Sequence, residues 1–118
     1  MRHVIILYCL LVFGVGAYAT EPATSAIPPR VEITARRFAF DPAEITLKEG
    51  RTVLLVLKSA DVKHGLRIRE LGLDLKASKG KPGETLLTPK KSGNFVGHCS
   101  VFCGAKHGSM TITIDVVK

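Results

Sequence analysis

The stretch "GHCSVFCGAKHGSM", Gly97 to Met110, gathers two cysteines, two histidines and a methionine into fourteen residues near the C-terminus. It joins two runs of strand character, "NFVGHC" and "MTITIDVV", and so reads as a loop that offers Cys99, Cys103, His107 and Met110 as donors. Two thiolates, an imidazole and a thioether form a soft set, which selects copper or zinc over magnesium or calcium. Met110 leans the set toward copper. Zinc sites are built from Cys, His and carboxylates, whereas a weak axial methionine is a copper feature.

A metal loop of this kind often recruits one residue from elsewhere in its fold. The candidate is His64 in "SADVKHGLRIREL", where the apolar run Thr52 to Ser59 gives way to a loop. Two histidines, one cysteine and Met110 then match a mononuclear blue-copper set, with one cysteine left unused. On the residues alone three other readings stay open. The first is a Cys99 to Cys103 disulfide in an exported sandwich without metal, the bland expectation for a pair in an oxidising compartment. Such a bond closes a very short loop, contributes little by chain entropy, and leaves the spacing of His64, His107 and Met110 unexplained. The second is tetrahedral zinc on Cys99, Cys103, His107 and His64. The third is a copper storage, delivery or sensing module that uses the same ligands.

Working outward from the loop, the chain is a series of short β-branched runs closed by turn signals. "VEITARRF" alternates Val31, Ile33 and Ala35 against Glu32, Thr34 and Arg36, as a half-buried strand does. "AEITLKEG" is a second run, and "TVLLVLKS" is continuously apolar, which suits a strand covered on both faces. "HGLRIREL", "TLLT", "NFVGHC" and "MTITIDVV" follow, separated by turns at "KGKPGE" and "PKKSG". Seven to eight strands at this spacing predict an all-β, Greek-key β-sandwich. No helical periodicity or internal repeat competes with it.

The N-terminus has Arg2, an apolar run and Ala17-Tyr18-Ala19 as a peptidase-like site, so residues 1–19 are expected to be a signal peptide or membrane anchor. The apolar stretch 4–19 is 16 residues long, short of the ~20 a spanning helix needs; cleavage is favoured, with membrane attachment through 4–19 as the alternative. Residues 20–30, small and Pro-rich, are expected to be a linker, and 31–118 the folded domain. Cleavage would remove Cys9 and leave Cys99 and Cys103 as an even pair. The formal charge of +7 is spread as Arg36, Arg37, Lys58, Lys63, Arg67, Arg69 and others, without interleaved aromatics. No nucleic acid is therefore expected as a partner; the excess charge reads first as a solvated surface, with a docking face for an acidic partner as the functional alternative.

The pattern "DVKHG…LG…KPG…TP…SG…GHCSVFCGAKHGSM" resembles the copper domain of cytochrome c oxidase subunit II and the similar domain of nitrous-oxide reductase, over about Val31 to Val117. That family has a histidine after an Asp-Val pair, then Cys-x3-Cys-Gly-x2-His-x2-Met, and every position is met. The resemblance implies a cupredoxin fold and two copper ions in a CuA centre. Cys99 and Cys103 would bridge the ions, and His64 and His107 would each hold one. Met110 would be a weak ligand on one side and the backbone carbonyl of Val101 on the other. The implied role is periplasmic electron transfer, not catalysis by this chain alone, with a c-type cytochrome or an oxidase catalytic subunit as redox partner. Phe102 is expected to shield the centre, and His98 to be surface or to stand behind the ligands.

The chain also departs from the family. Many members carry a magnesium-binding glutamate two residues after the first cysteine, where Val101 offers only its carbonyl. Members typically place tryptophan near the copper, and this sequence has none. With one short export segment in place of membrane helices, these departures point to a small periplasmic or tethered relative.

Overall fold

The computed structural model describes Gly14, Gly16, Ala17 and residues 27–118. The expected signal or anchor over 1–19, those three residues apart, and most of the 20–30 linker lie outside the described residues. No helix among the described residues is long and apolar enough to cross a membrane.

Nine strands follow one another: β1 (Arg30–Arg36), β2 (Ala39–Asp41), β3 (Glu44–Lys48), β4 (Val53–Ser59), β5 (His64–Ile68), β6 (Leu73–Ala77), β7 (Gly83–Leu87), β8 (Gly93–His98) and β9 (Thr111–Val117). Two single-turn 3-10 helices, Arg69–Leu71 and His107–Ser109, are the only helical residues among those described. The strands form a four-stranded sheet in the order β2-β1-β4-β7 and a five-stranded sheet in the order β3-β9-β8-β5-β6.

The expected all-β sandwich is therefore present, with β2 and β6 beyond the runs anticipated from the sequence. β2 has three residues, too few to carry a period, and forms only because the chain doubles back to pair Ala35 with Phe40. β6 does alternate, burying Leu73, Leu75 and Ala77 and exposing Asp74 and Lys76. It follows a one-turn helix that ends at Gly72 in the left-handed region (φ 63°), so the strand pattern restarts there.

Alternation decides which side chains enter the core. Ile33, Ala35, Phe40, Leu55 and Leu57 face Ile45, Leu47, Leu66, Ile68, Ile112, Ile114 and Val116 from the other sheet, all buried. Burying each large aliphatic of this set contributes about 1.5–3 kcal/mol. In β4 the continuous apolar run is matched by burial on both faces, since Val56 is as fully buried as Leu55 and Leu57.

Strand direction collects three segments at one end of the sandwich. β8 runs toward that end and β9 leaves it, with their pairing closing at His98↔Thr111. β5 lies antiparallel to β8 and starts there with His64, while β1 ends there at the turn into β2.

Candidate metal centre

His64 is the first residue of β5, paired with Ala77 of β6, and it is completely buried. A buried imidazole must have its nitrogens partnered. Its Nε2 lies 2.6 Å from Asp61 Oδ1, in the bend before the strand. Asp61 also accepts the Val62 amide on Oδ1 (2.6 Å) and the Arg37 amide on Oδ2 (2.8 Å). Burial opposes its charge, yet the Arg37 amide, His64 and the Val62 amide together hold the Asp61 carboxyl down at about 2. An ionised carboxylate only accepts, so the His64 proton resides on Nε2 and the Nδ1 lone pair is left free. That lone pair faces Cys99 Sγ at 3.9 Å.

The loop after β8 starts where the pleat turns Cys99 inward and His98 outward: Cys99 is buried and His98 exposed. The Cys99 amide donates to Met110 O (3.3 Å), which fastens the two ends of the loop together. The Ser100 amide donates to Gly65 O (3.3 Å), which lays the loop against β5. At Gly65 a Cβ would overlap Ser100 Oγ and come within 3.3 Å of Leu75 O, so only glycine permits this approach. Gly104 reverses the chain just after Cys103, with φ +140° and the Phe38 ring against it.

The donors converge. Cys99 Sγ and Cys103 Sγ are 3.7 Å apart, and both are free thiols, far beyond the ~2.05 Å of a disulfide bond. Donor atoms of His64, Cys99 and Cys103 all lie within 4.8 Å of one another. Val101 O is 3.1 Å from Cys99 Sγ, His107 Nδ1 is 3.6 Å from Cys103 Sγ, and Met110 Sδ is 3.4 Å from Cys103 Sγ. All six donors expected from the sequence thus meet at one end of the sandwich.

Burial, and then the neighbouring Cys99, push the Cys103 thiol up to about 11. The metal-free Cys103 thiol therefore stays protonated at neutral pH, and a thiophilic cation must displace its proton to bind there. With Met110 fully buried and both cysteines nearly so, the pocket excludes water, as a soft metal site requires.

Phe102 departs from expectation. It is 79% exposed and lies beside His107, ring centroids 5.8 Å apart, rather than covering the thiols. Cys103 takes the inward place in the loop, and Phe102 beside it is turned to solvent. Two contributors went unassigned from the sequence. Asp61 figured only as part of a pattern, although its place three residues before His64 was the available signal. Arg37 was counted with surface charge, yet its Nε donates to Cys103 O at 2.9 Å.

Comparison with known proteins bears on this geometry. The family described as "Cytochrome C oxidase subunit II, periplasmic domain" matches residues 25–117. A probable cytochrome c oxidase subunit 2 of Rickettsia prowazekii (strain Madrid E) is 33% identical over 88 residues, which cover 75% of this chain and 28% of that protein. The chain thus spans little more than a quarter of that relative's length. The periplasmic domain of subunit II of cytochrome oxidase (CoxB) of Bradyrhizobium japonicum has the same fold, with TM-score 0.70 at 22% identity over 76% of this chain and 84% of that one. A chain of a heme-copper terminal oxidase dimer superposes with TM-score 0.68 at 30% identity, covering 75% of this chain and 65% of that one.

Proposed function

The chain belongs to the family of cytochrome c oxidase subunit II periplasmic domains, and from that premise we propose that it is an extracytoplasmic electron-transfer protein that holds two copper ions in a CuA-type centre. One observation carries the reading: each thiol has its own imidazole and its own weak donor. Cys99 Sγ is flanked by His64 Nδ1 and Val101 O, and Cys103 Sγ by His107 Nδ1 and Met110 Sδ. A mononuclear site would leave one thiol idle, and tetrahedral zinc would leave the buried thioether idle.

In this assignment Cys99 and Cys103 would be shared between the two ions, His64 and His107 would hold one each, and Val101 O and Met110 would be weak donors. The copper pair supplies one-electron redox chemistry when bound. The chain does the rest. Asp61 keeps the His64 proton on Nε2 and the ring in place, and buried Met110 and Cys99 keep water out. Ligands on a packed sandwich move little when charge changes, which keeps the reorganisation cost of electron transfer low.

The redox partners proposed are a c-type cytochrome as donor and an oxidase catalytic subunit as acceptor. The terminal oxidase dimer among the structural neighbours supports the second. The net charge of +7 suits an acidic donor. Residues 1–19 are proposed to export or anchor the chain, 20–30 to tether it, and 31–118 to form the copper domain.

Copper analysis with electron paramagnetic resonance tests the centre. Two coppers per chain and a purple protein with a seven-line spectrum are expected. One copper with a blue type 1 spectrum, or zinc in protein from its native compartment, would overturn the reading.

A further inference from the structure

The turn between β1 and β2 touches both halves of the site, and it does so through one residue. The Arg37 amide donates to Asp61 Oδ2 at 2.8 Å, and Asp61 Oδ1 meets His64 Nε2 at 2.6 Å. From the same residue the guanidinium Nε donates to Cys103 O at 2.9 Å. The neighbouring Phe38 ring lies against Gly104, where a Cβ would come within 2.8 Å of it. These contacts tie His64 and Cys103, 39 positions apart in the sequence, to a single two-residue turn.

The guanidinium also brings charge. Among the described residues Arg37 makes no side-chain ion pair, unlike Arg36 beside it, which pairs with Asp41 at 3.3 Å. A guanidinium stays charged at any working pH. Its Nε partner is the carbonyl of Cys103, so its positive charge acts on that sulfur in the sense opposite to the Asp61 carboxylate, which the amide of the same residue holds.

We propose that Arg37 is a positioning residue of the metal centre: it latches the Cys103 segment to the Asp61–His64 segment, and its fixed charge favours the reduced form. The proposal rests on the copper reading for its electrostatic half and on the metal-free structure for its latch. Adding an electron makes the centre more negative, and a nearby cation stabilises that state more than the oxidised one. Losing the Nε contact frees the carbonyl of Cys103 and loosens the loop between Val101 and His107.

The test compares Arg37→Gln with Arg36→Gln, which removes the same charge one residue away from the site. Both side chains are exposed and both variants keep the backbone amides, so the fold is retained. In the metal-free full chain, Arg37→Gln is expected to raise the rate of thiol alkylation by iodoacetamide several-fold, and Arg36→Gln to leave it at the parent rate. In the copper-loaded chain, Arg37→Gln is expected to lower the reduced-to-oxidised ratio at fixed potential by up to about tenfold, which is 59 mV for one electron. Arg37→Lys, which keeps the charge, is expected to hold the parent potential. Parent-rate alkylation in Arg37→Gln overturns the latch. A potential equal to that of Arg36→Gln, or an equal fall in Arg37→Lys and Arg37→Gln, overturns the electrostatic role. If the parent binds no redox-active copper, the proposed function fails while the alkylation comparison still decides the latch.

Discussion

Asp61 Oδ1 stands 2.6 Å from His64 Nε2, and the pair is asymmetric: the imidazole is fully buried, the carboxylate a third exposed. The exposed partner sets the proton on the hidden one and so leaves Nδ1 as the free nitrogen that faces Cys99 Sγ.

Asp61→Ala is therefore expected to weaken copper binding by about 10–100-fold. Competition with a chelator of known affinity measures it. An unchanged affinity would show that the His64 ring is held by packing alone.

Cys99→Ser removes one of the two thiols proposed to bridge and leaves Cys103 with His64, His107 and Met110. The expected outcome is loss of the two-copper spectrum, with a single copper retained on the remaining set. Two coppers per chain in this variant would refute bridging.

Met110 is completely buried between the loop and β9. Met110→Ala should lower stability by about 2–5 kcal/mol through the cavity it leaves. Met110→Leu should cost less than about 1.5 kcal/mol, because volume is conserved, yet shift the reduction potential, because the thioether is gone. Denaturant melts of the metal-free variants and redox titration of the loaded ones separate packing from ligation.

Gly65→Ala places a methyl against Ser100 Oγ, Val101 Cγ2 and Leu75 O. The loop must give way, at an expected cost of about 1–3 kcal/mol. Thermal denaturation of the metal-free protein measures this, and copper affinity should fall with it because Val101 and Cys99 are on the displaced segment.

On β3 and β9, away from the site, a hydrogen bond with Asp115 and then its charge raise the Glu44 carboxyl above its ordinary value. The folded chain thus binds a proton more tightly than the unfolded one. Its stability falls as pH rises from the ordinary carboxylate range through the raised value. Asp115→Asn is expected to raise the melting temperature slightly at neutral pH, with the gain shrinking as pH approaches about 4. A gain of equal size at both pH values would show that charge is not its cause.

The fold was legible wherever a strand was long enough to show its period. β1, β4, β5 and β9 follow alternation or continuous apolar runs that can be read residue by residue. β2 was not legible, because its three residues owe their pairing to β1. The donor cluster was legible for a different reason: Cys99, Cys103, His107 and Met110 are close in sequence, and the structure keeps their donor atoms together at one end of the sandwich. Phe102 misled because a loop residue's direction depends on where its neighbours anchor.

The sequence alone determined the layer architecture, the donor chemistry and the preference for a thiophilic metal, since these follow from side-chain period and ligand softness. Tertiary structure decided what lies between distant segments. It placed His64 across from Cys99, gave each thiol its own imidazole, turned Phe102 outward and brought Arg37 to the carbonyl of Cys103. The physical reason is that sheet order and strand direction set those juxtapositions, and neither is written in any local stretch of chain.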